Sequence, residues 1–175
     1  MKTRCSESYE LSWGTYKLFG MTIWRSINSP RVVIQSGVVP GECWCFAGSE
    51  GRLGIHLSAR IIPTAFSYEH IPSKLSRDGH IKSAPNHLIV YGLRHEMDLD
   101  PIQLGEYYYQ IPDDNGDDGE NSIRPLQRFI VQNTEAAKHT FDMIELNVKS
   151  NHGHPDYTCL YRFRVHGIHP SITNE

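Results

Sequence analysis

The sequence predicts an all-β fold, an antiparallel sandwich of the galactose-binding-like or jelly-roll type. Three observations carry that reading. Apolar residues recur with period two, turn signals break the chain into short runs, and no stretch of about 12 residues carries the 3.6-residue apolar stripe of a helix. The 175 residues fit one domain. A chain of this length buries roughly 70% of the surface its unfolded form exposes.

In chain order, the first 30 residues place Tyr9, Leu11, Trp13, Tyr16, Leu18, Phe19, Met21, Ile23 and Trp24 among few charges. Gly14 and Gly20 supply possible turns, so this stretch reads as a hairpin that needs something to cover its apolar face. Strands follow at 31–35 (RVVIQ), 43–47 (CWCFA) and 53–61, where Leu53, Ile55, Leu57, Ala59 and Ile61 share one face. Further strands are expected at 64–71, 87–93, 105–111, 127–132, 141–149 and 157–166. Ser29-Pro30, Pro40-Gly41, the run Gly48 to Gly51, Asp78-Gly79, Asn115-Gly116 and His152-Gly153 separate them. In the last run Tyr157, Cys159, Tyr161, Phe163 and Val165 share a face, and Arg162, Arg164 and His166 the other. Two tyrosines near a sheet rim bring hydroxyls that need partners, which suits a ligand pocket.

Charge narrows the function classes. Lys plus Arg number 17 and Asp plus Glu 20, a net charge of -3, which argues against nucleic acid or an anionic membrane surface as partner. No apolar run approaches the ~20 residues of a membrane span. Catalysis is not expected. G-x-S-x-G and His-Glu-x-x-His are absent, no nucleotide-type glycine loop follows a strand, and Glu69 and His70, adjacent in a strand, point to opposite faces. The acidic run 113–120 (DDNGDDGE) fails the calcium-loop pattern, with Asp118 where glycine belongs and Arg124 where Glu belongs, and reads as a solvated loop. The four cysteines are Cys5, Cys43, Cys45 and Cys159. A zinc site joining Cys43 and Cys45 to His152, His154 and Cys159 lacks the paired C-x-x-C units such sites use.

Six segments together resemble the SUN domain, in order and at the usual separations: TRCSESYE (3–10), LFGMTIWRSINSPRVVIQ (18–35), PGECWCFAGSEGRL (40–53), IPTAFSYEHIP (62–72), SAPNHLIVYGL (83–93) and HPDYTCLYRFRVHG (154–167). The resemblance covers residues 3 to 169, with 170–175 as a tail. It implies a luminal module of the LINC complex at the inner nuclear membrane. In that family the module faces the perinuclear space, assembles as a homotrimer and binds the C-terminal tail of a KASH protein, linking the nucleus to the cytoskeleton. The family's membrane span and coiled coil lie upstream.

Site residues carry over position by position. The hairpin of about 9–29 matches the KASH lid, through Tyr9, Leu11, Trp13, Tyr16, Leu18, Phe19, Ile23 and Trp24. His70, Ser83, Tyr157 and Tyr161 match the pocket for the tail's terminal carboxylate. On an ideal strand Tyr157 and Tyr161 lie about 13 Å apart, so Tyr161 and Ser83, with His70, are expected to hold the carboxylate while Tyr157 packs on the preceding prolines. Cys43 and Cys159 match an internal disulfide, worth roughly 4–5 kcal/mol for so long a loop in the chain-entropy model. Cys5 matches a cysteine that bonds the KASH tail. Cys45 departs from the family pattern and is expected as a buried thiol, open to disulfide reshuffling through its closeness to Cys43. Residues 32–45 match a loop holding a potassium ion, at Val32, Gln35, Gly37, Glu42 and Tyr161, and no organic cofactor is implied. A lectin-like β-sandwich that binds glycans is the alternative, because it shares the architecture.

Overall fold

The computed structural model describes residues 5–9, 15–18, 21–25, 28–112 and 122–170. In chain order the strands are β1 (Thr15–Leu18), β2 (Met21–Arg25), β3 (Trp44–Ala47), β4 (Gly51–Glu69) and β5 (Pro85–Leu93). Then come β6 (Ile102–Tyr108), β7 (Leu126–Ile130), β8 (Phe141–Asn151), β9 (Tyr157–Leu160) and β10 (Arg162–Ile168). Short 3₁₀ turns span Pro30–Ile34, Ser73–Leu75 and Thr134–Lys138.

The long strand β4 organises the sandwich. Its first half pairs with β8, from Gly51 opposite Val148 to His56 opposite Met143, and β8 continues through β5 to β6. The register then slips between His56 and Ile61. Past the slip, Ala65 to Glu69 pair with β7 on one edge and with β10 on the other. One strand thus serves both layers. The burial pattern records the crossing: Leu53 and Ile55 are buried, Ser58, Ala59 and Arg60 are exposed, and Ala65 to Tyr68 are buried without alternation. Between the layers lie Trp44, Phe46, Phe66, Tyr68, Leu88, Leu104, Tyr109, Phe141, Ile144 and Leu146, all essentially inaccessible. Buried phenols keep partners, as when the Tyr109 hydroxyl donates to the Pro125 carbonyl at 2.9 Å.

A two-stranded unit of β3 and β9 closes one end, and Gly51 lets it sit close. A Cβ at Gly51 would meet the Phe46 ring at 2.4 Å. The segment 5–9 bridges β4 at Cys5 and Leu53 and this unit at Ser8 and Phe46. The Trp44 indole donates to Ser8 Oγ at 2.9 Å.

The all-β sandwich expected from period two is the fold observed, with three corrections to its elements. The run 31–35 is a 3₁₀ turn. Ser29 caps it, Pro30 opens it, and Val33 alone is buried, so the apolar run forms no sheet face. The runs 53–61 and 64–71 are one strand. The run 157–166 divides after Leu160, its halves joining different sheets, and Thr158 and Leu160 are buried along with Cys159. The expected hairpin is present as β1 and β2, with Leu18 opposite Met21. Leu11, Trp13 and Phe19 lie outside the described residues, as does 113–120.

Candidate functional site

The break between β9 and β10 builds the site. Arg162 pairs with Glu69, so Tyr161 falls beside His70 at the end of β4. Their rings meet edge-to-face, with centroids 4.6 Å apart. From the other side, the Cys159 amide donates to the Ser83 carbonyl at 2.8 Å, which brings the segment before β5 against β9. The result is a cavity of about 280 Å³ whose walls include His70, Ser83, Tyr157 and Tyr161 together with Cys43 and Cys159. The distance argument for separating the tyrosines assumed an unbroken strand. With the chain turning at Tyr161, both phenols reach the same space.

Tyr161 and His70 have defined hydrogen-bonding states. The Tyr161 hydroxyl accepts from the Gly41 amide at 3.1 Å, leaving its own proton to donate. Gly41 offers that amide from a φ of 86°, a conformation suited to glycine. Burial pushes the Tyr161 phenol well above its usual pKa, so it is a neutral donor at physiological pH. His70 Nδ1 lies 3.1 Å from the Ile71 carbonyl and must donate to it. Burial lowers the imidazole pKa to about 4, so the ring is neutral and its Nε2 is a bare acceptor. That Nε2 is buried without a hydrogen-bond partner among the described residues. With its one N–H committed to Ile71, a neutral His70 has none left for a carboxylate, so of the three residues expected to hold one, Tyr161 and Ser83 bring hydroxyls. Tyr157 stacks on Tyr9 at 5.3 Å and against His154 at 3.9 Å, an aromatic wall.

The internal disulfide differs from the expected one. It joins Cys45 to Cys159, and Cys43 is the buried thiol. The register explains this: Cys45 lies directly opposite Cys159 in the β3–β9 ladder, whereas Cys43 precedes β3 and has no partner in it. Nor do His152 and His154 join a metal cluster. His152 Nε2 bonds the Tyr109 carbonyl at 2.9 Å, and His154 Nδ1 accepts from the Asp156 amide at 3.3 Å. Cys5 sits half-buried opposite Leu53, its thiol pKa raised chiefly by burial.

In the 32–45 loop the Val32 carbonyl accepts from the Gln35 amide at 3.3 Å. Asn28 Nδ2 donates to the Gly41 and Cys43 carbonyls, each at 3.0 Å. The Ser36 carbonyl accepts from both Arg162 and Arg164. Exposed backbone oxygens suit a hard monovalent cation, and a carbonyl already holding one amide keeps a second lone pair. Val32 is half-buried and Gln35, Gly37 and Glu42 are exposed in this loop.

The cavity has a further wall in the turn from Leu75 to Ile81, with Arg77, Asp78 and His80, and in His154, which the sequence offered only as a zinc ligand. The signals were present as the Asp78-Gly79 turn and the His154-Pro155 pair. Nothing local says that a turn faces a cavity rather than solvent.

Fold and cavity together define a β-sandwich domain with a cavity at the β9–β10 break. The fold is shared with a family 32 carbohydrate-binding module from Streptococcus pneumoniae EndoD, at 10% identity and a TM-score of 0.58 over 82% of this chain and 88% of that one. A putative chitobiase fragment from Bacteroides thetaiotaomicron matches at 9% identity and 0.57, over 80% and 75%. Identities this low speak to fold alone. The Sad1/UNC-like C-terminal family matches residues 23–169, and the chain belongs to that family, the SUN domains. It is 47% identical to human SUN domain-containing protein 1 over 95% of this chain and 20% of that protein. It is 44% identical to the Drosophila melanogaster Klaroid protein over 98% and 17%. The Caenorhabditis elegans nuclear migration and anchoring protein unc-84 is 39% identical over 95% and 14%. The chain thus spans about a fifth or less of each of these proteins' length.

Proposed function

We propose that this chain is the luminal module of a LINC-type bridge, placed in the perinuclear space by an inner nuclear membrane protein. It captures the C-terminal tail of a KASH-domain protein, so that the two membranes are tethered and force passes between cytoskeleton and nucleus. One observation carries the reading: a single cavity gathers the Tyr161 phenol and Ser83 beside an aromatic wall at Tyr157. The terminal carboxylate accepts from Tyr161 and Ser83, and the residues before it pack on Tyr157. The tail's backbone adds to the edge of the β1–β2 hairpin, where main-chain bonds tolerate varied sequence. A bridge under tension fits the relative named for nuclear migration and anchoring. Three further parts belong to the proposal: a homotrimer, a disulfide from Cys5 to the tail, and a potassium ion in the 32–45 loop.

The test is a titration of the chain with a synthetic KASH tail peptide carrying either a free or an amidated C-terminus. A hydrogen bond to a charged acceptor is worth about 1.5–3 kcal/mol, so amidation is expected to weaken binding about 10- to 100-fold. Equal affinity of the two peptides would contradict the carboxylate pocket.

A further inference from the structure

On the outer face of the layer built by β7, the end of β4 and β10, three polar side chains fall in one row. Arg128 lies opposite Ser67, and Arg164 lies opposite the same serine on its other edge. Cross-strand partners project to one face, and neighbouring strands lie about 4.8 Å apart, so the two arginines flank Ser67 with Cα atoms about 10 Å from each other. Phe66 and Tyr68 point from β4 into the core, which leaves Ser67 on the outside. It is nonetheless only 6% exposed, and His166 Nε2 lies 2.7 Å from its hydroxyl oxygen.

Positive charge in this row goes unanswered. The acid on this face of β4, Glu69, is held by Arg162 in the next row. Among the described residues, Arg128 and Arg164 pair with no carboxylate. Arg164 spends one N–H on the Ser36 carbonyl at 3.2 Å, and a guanidinium carries five. The charges that act on His166 are those of Arg128 from β7 and Arg164 from its own strand, while β4 faces it with Ala65 and Ser67, which do not titrate. Burial and those two charges lower the His166 pKa, so its ring is neutral at neutral pH.

We propose that Arg128, Ser67, Arg164 and His166 form a binding site for a tetrahedral dianion, a sulfate or phosphate group. The guanidiniums reach the ligand from both flanks with charged N–H donors, the pairing that oxyanions favour. His166 takes a proton from solvent as the dianion arrives, because a negative charge nearby favours its charged form. Its Nε2 then donates to Ser67 Oγ, and the serine hydroxyl donates to the anion.

Arg128 also borders a groove lined by Tyr108, Arg124, Leu126 and Phe129. Its aromatic and apolar wall offers room for the organic part of a phosphate monoester, and Arg124 adds charge. None of the four site residues lines the cavity at the β9–β10 break, so the proposal does not rest on tail capture.

The experiment titrates the chain with acid in sodium sulfate and in sodium chloride at equal ionic strength. Histidine ring signals are followed by nuclear magnetic resonance, and His166 is assigned by the signal missing from His166→Gln. Sulfate stays a dianion throughout, so a change in titration belongs to the protein. Sulfate is expected to move the His166 titration to higher pH, and its affinity to rise up to about tenfold as the ring charges. Arg128→Gln, at an exposed position, is expected to abolish the effect. Phenyl phosphate and inorganic phosphate, compared at neutral pH, separate the sources of the dianion. Tighter phenyl phosphate assigns the site to a monoester with its ring in the groove, and equal affinity assigns it to the free ion. Identical His166 titrations in the two salts overturn the proposal. So does a change that Arg128→Gln leaves intact, or one shared by every exposed histidine, which marks an adventitious ion only.

Discussion

His70 shows how one buried side chain sets a property of the whole domain. Its pKa falls from 6.5 to about 4 because burial among the rings of Tyr68, Tyr109 and Tyr161, with His152 nearby, penalises the charged form. The unfolded chain therefore binds a proton that the folded chain refuses between about pH 6.5 and 4. Stability is complete above that window and is lost as pH falls through it, by about 3 kcal/mol if the whole shift is realised. His152 and His166 are shifted down as well, so the part due to His70 is a difference. His70→Gln is expected to flatten the fall in unfolding free energy between pH 6.5 and 4, measured by urea denaturation. An unchanged slope in the variant would assign the pH dependence elsewhere. The sequence identified His70 as a pocket residue through its place in IPTAFSYEHIP. Its protonation state was not legible, because that depends on the Ile71 carbonyl at Nδ1 and on the rings of Tyr109, just past β6, and Tyr161, at the β9–β10 junction.

At the scale of elements, the break between β9 and β10 matters most. It turns Tyr161 towards His70 and hands the next residue, Arg162, to a different task. Arg162 is 9% exposed and donates to the Glu69 carboxylate and the Ser36 carbonyl, while Arg164 donates to the same carbonyl at 3.2 Å. The 32–45 loop is thus pinned to β10 beside the cavity. Removing one partner of a largely buried ion pair leaves the other uncompensated, so Arg162→Ala is expected to cost about 3 kcal/mol. Hydrogen exchange would rise across 36–43 while β5 and β8 stay protected. Uniform loosening of the sheet, or none, would show that the pin is not local. Period two could not reveal this break. Tyr157, Cys159, Tyr161, Phe163 and Val165 alternate perfectly as one strand, and only the pairing of Leu160 with Trp44 and of Arg162 with Glu69 divides them. The disulfide implied by the resemblance, Cys43–Cys159, differs for a related reason: matched sequence positions do not say which of Cys43 and Cys45 stands opposite Cys159, and register does.

For the whole molecule, fold class was legible because each buried strand face is a local pattern, and the layers follow once one face of each strand must be covered. What connects the layers was not. The passage of β4 from one sheet to the other is marked by exposed Ser58, Ala59 and Arg60, in a single strand that the sequence pattern divides into runs at 53–61 and 64–71. The 31–35 run shows the converse, an apolar stretch that Ser29 and Pro30 turn into a 3₁₀ cap. The cavity emerges at this largest scale, from β4, β9, the 32–45 loop and the turn of residues 75–81. The central claim, that it receives the end of a peptide chain, is tested most directly by a crystal structure of this chain with a KASH tail peptide bound. The account predicts the terminal carboxylate inside the cavity, accepting from the Tyr161 and Ser83 hydroxyls, with the preceding residues packed on Tyr157. A tail whose terminus lies outside the cavity, or is held by Tyr157 alone, would contradict it.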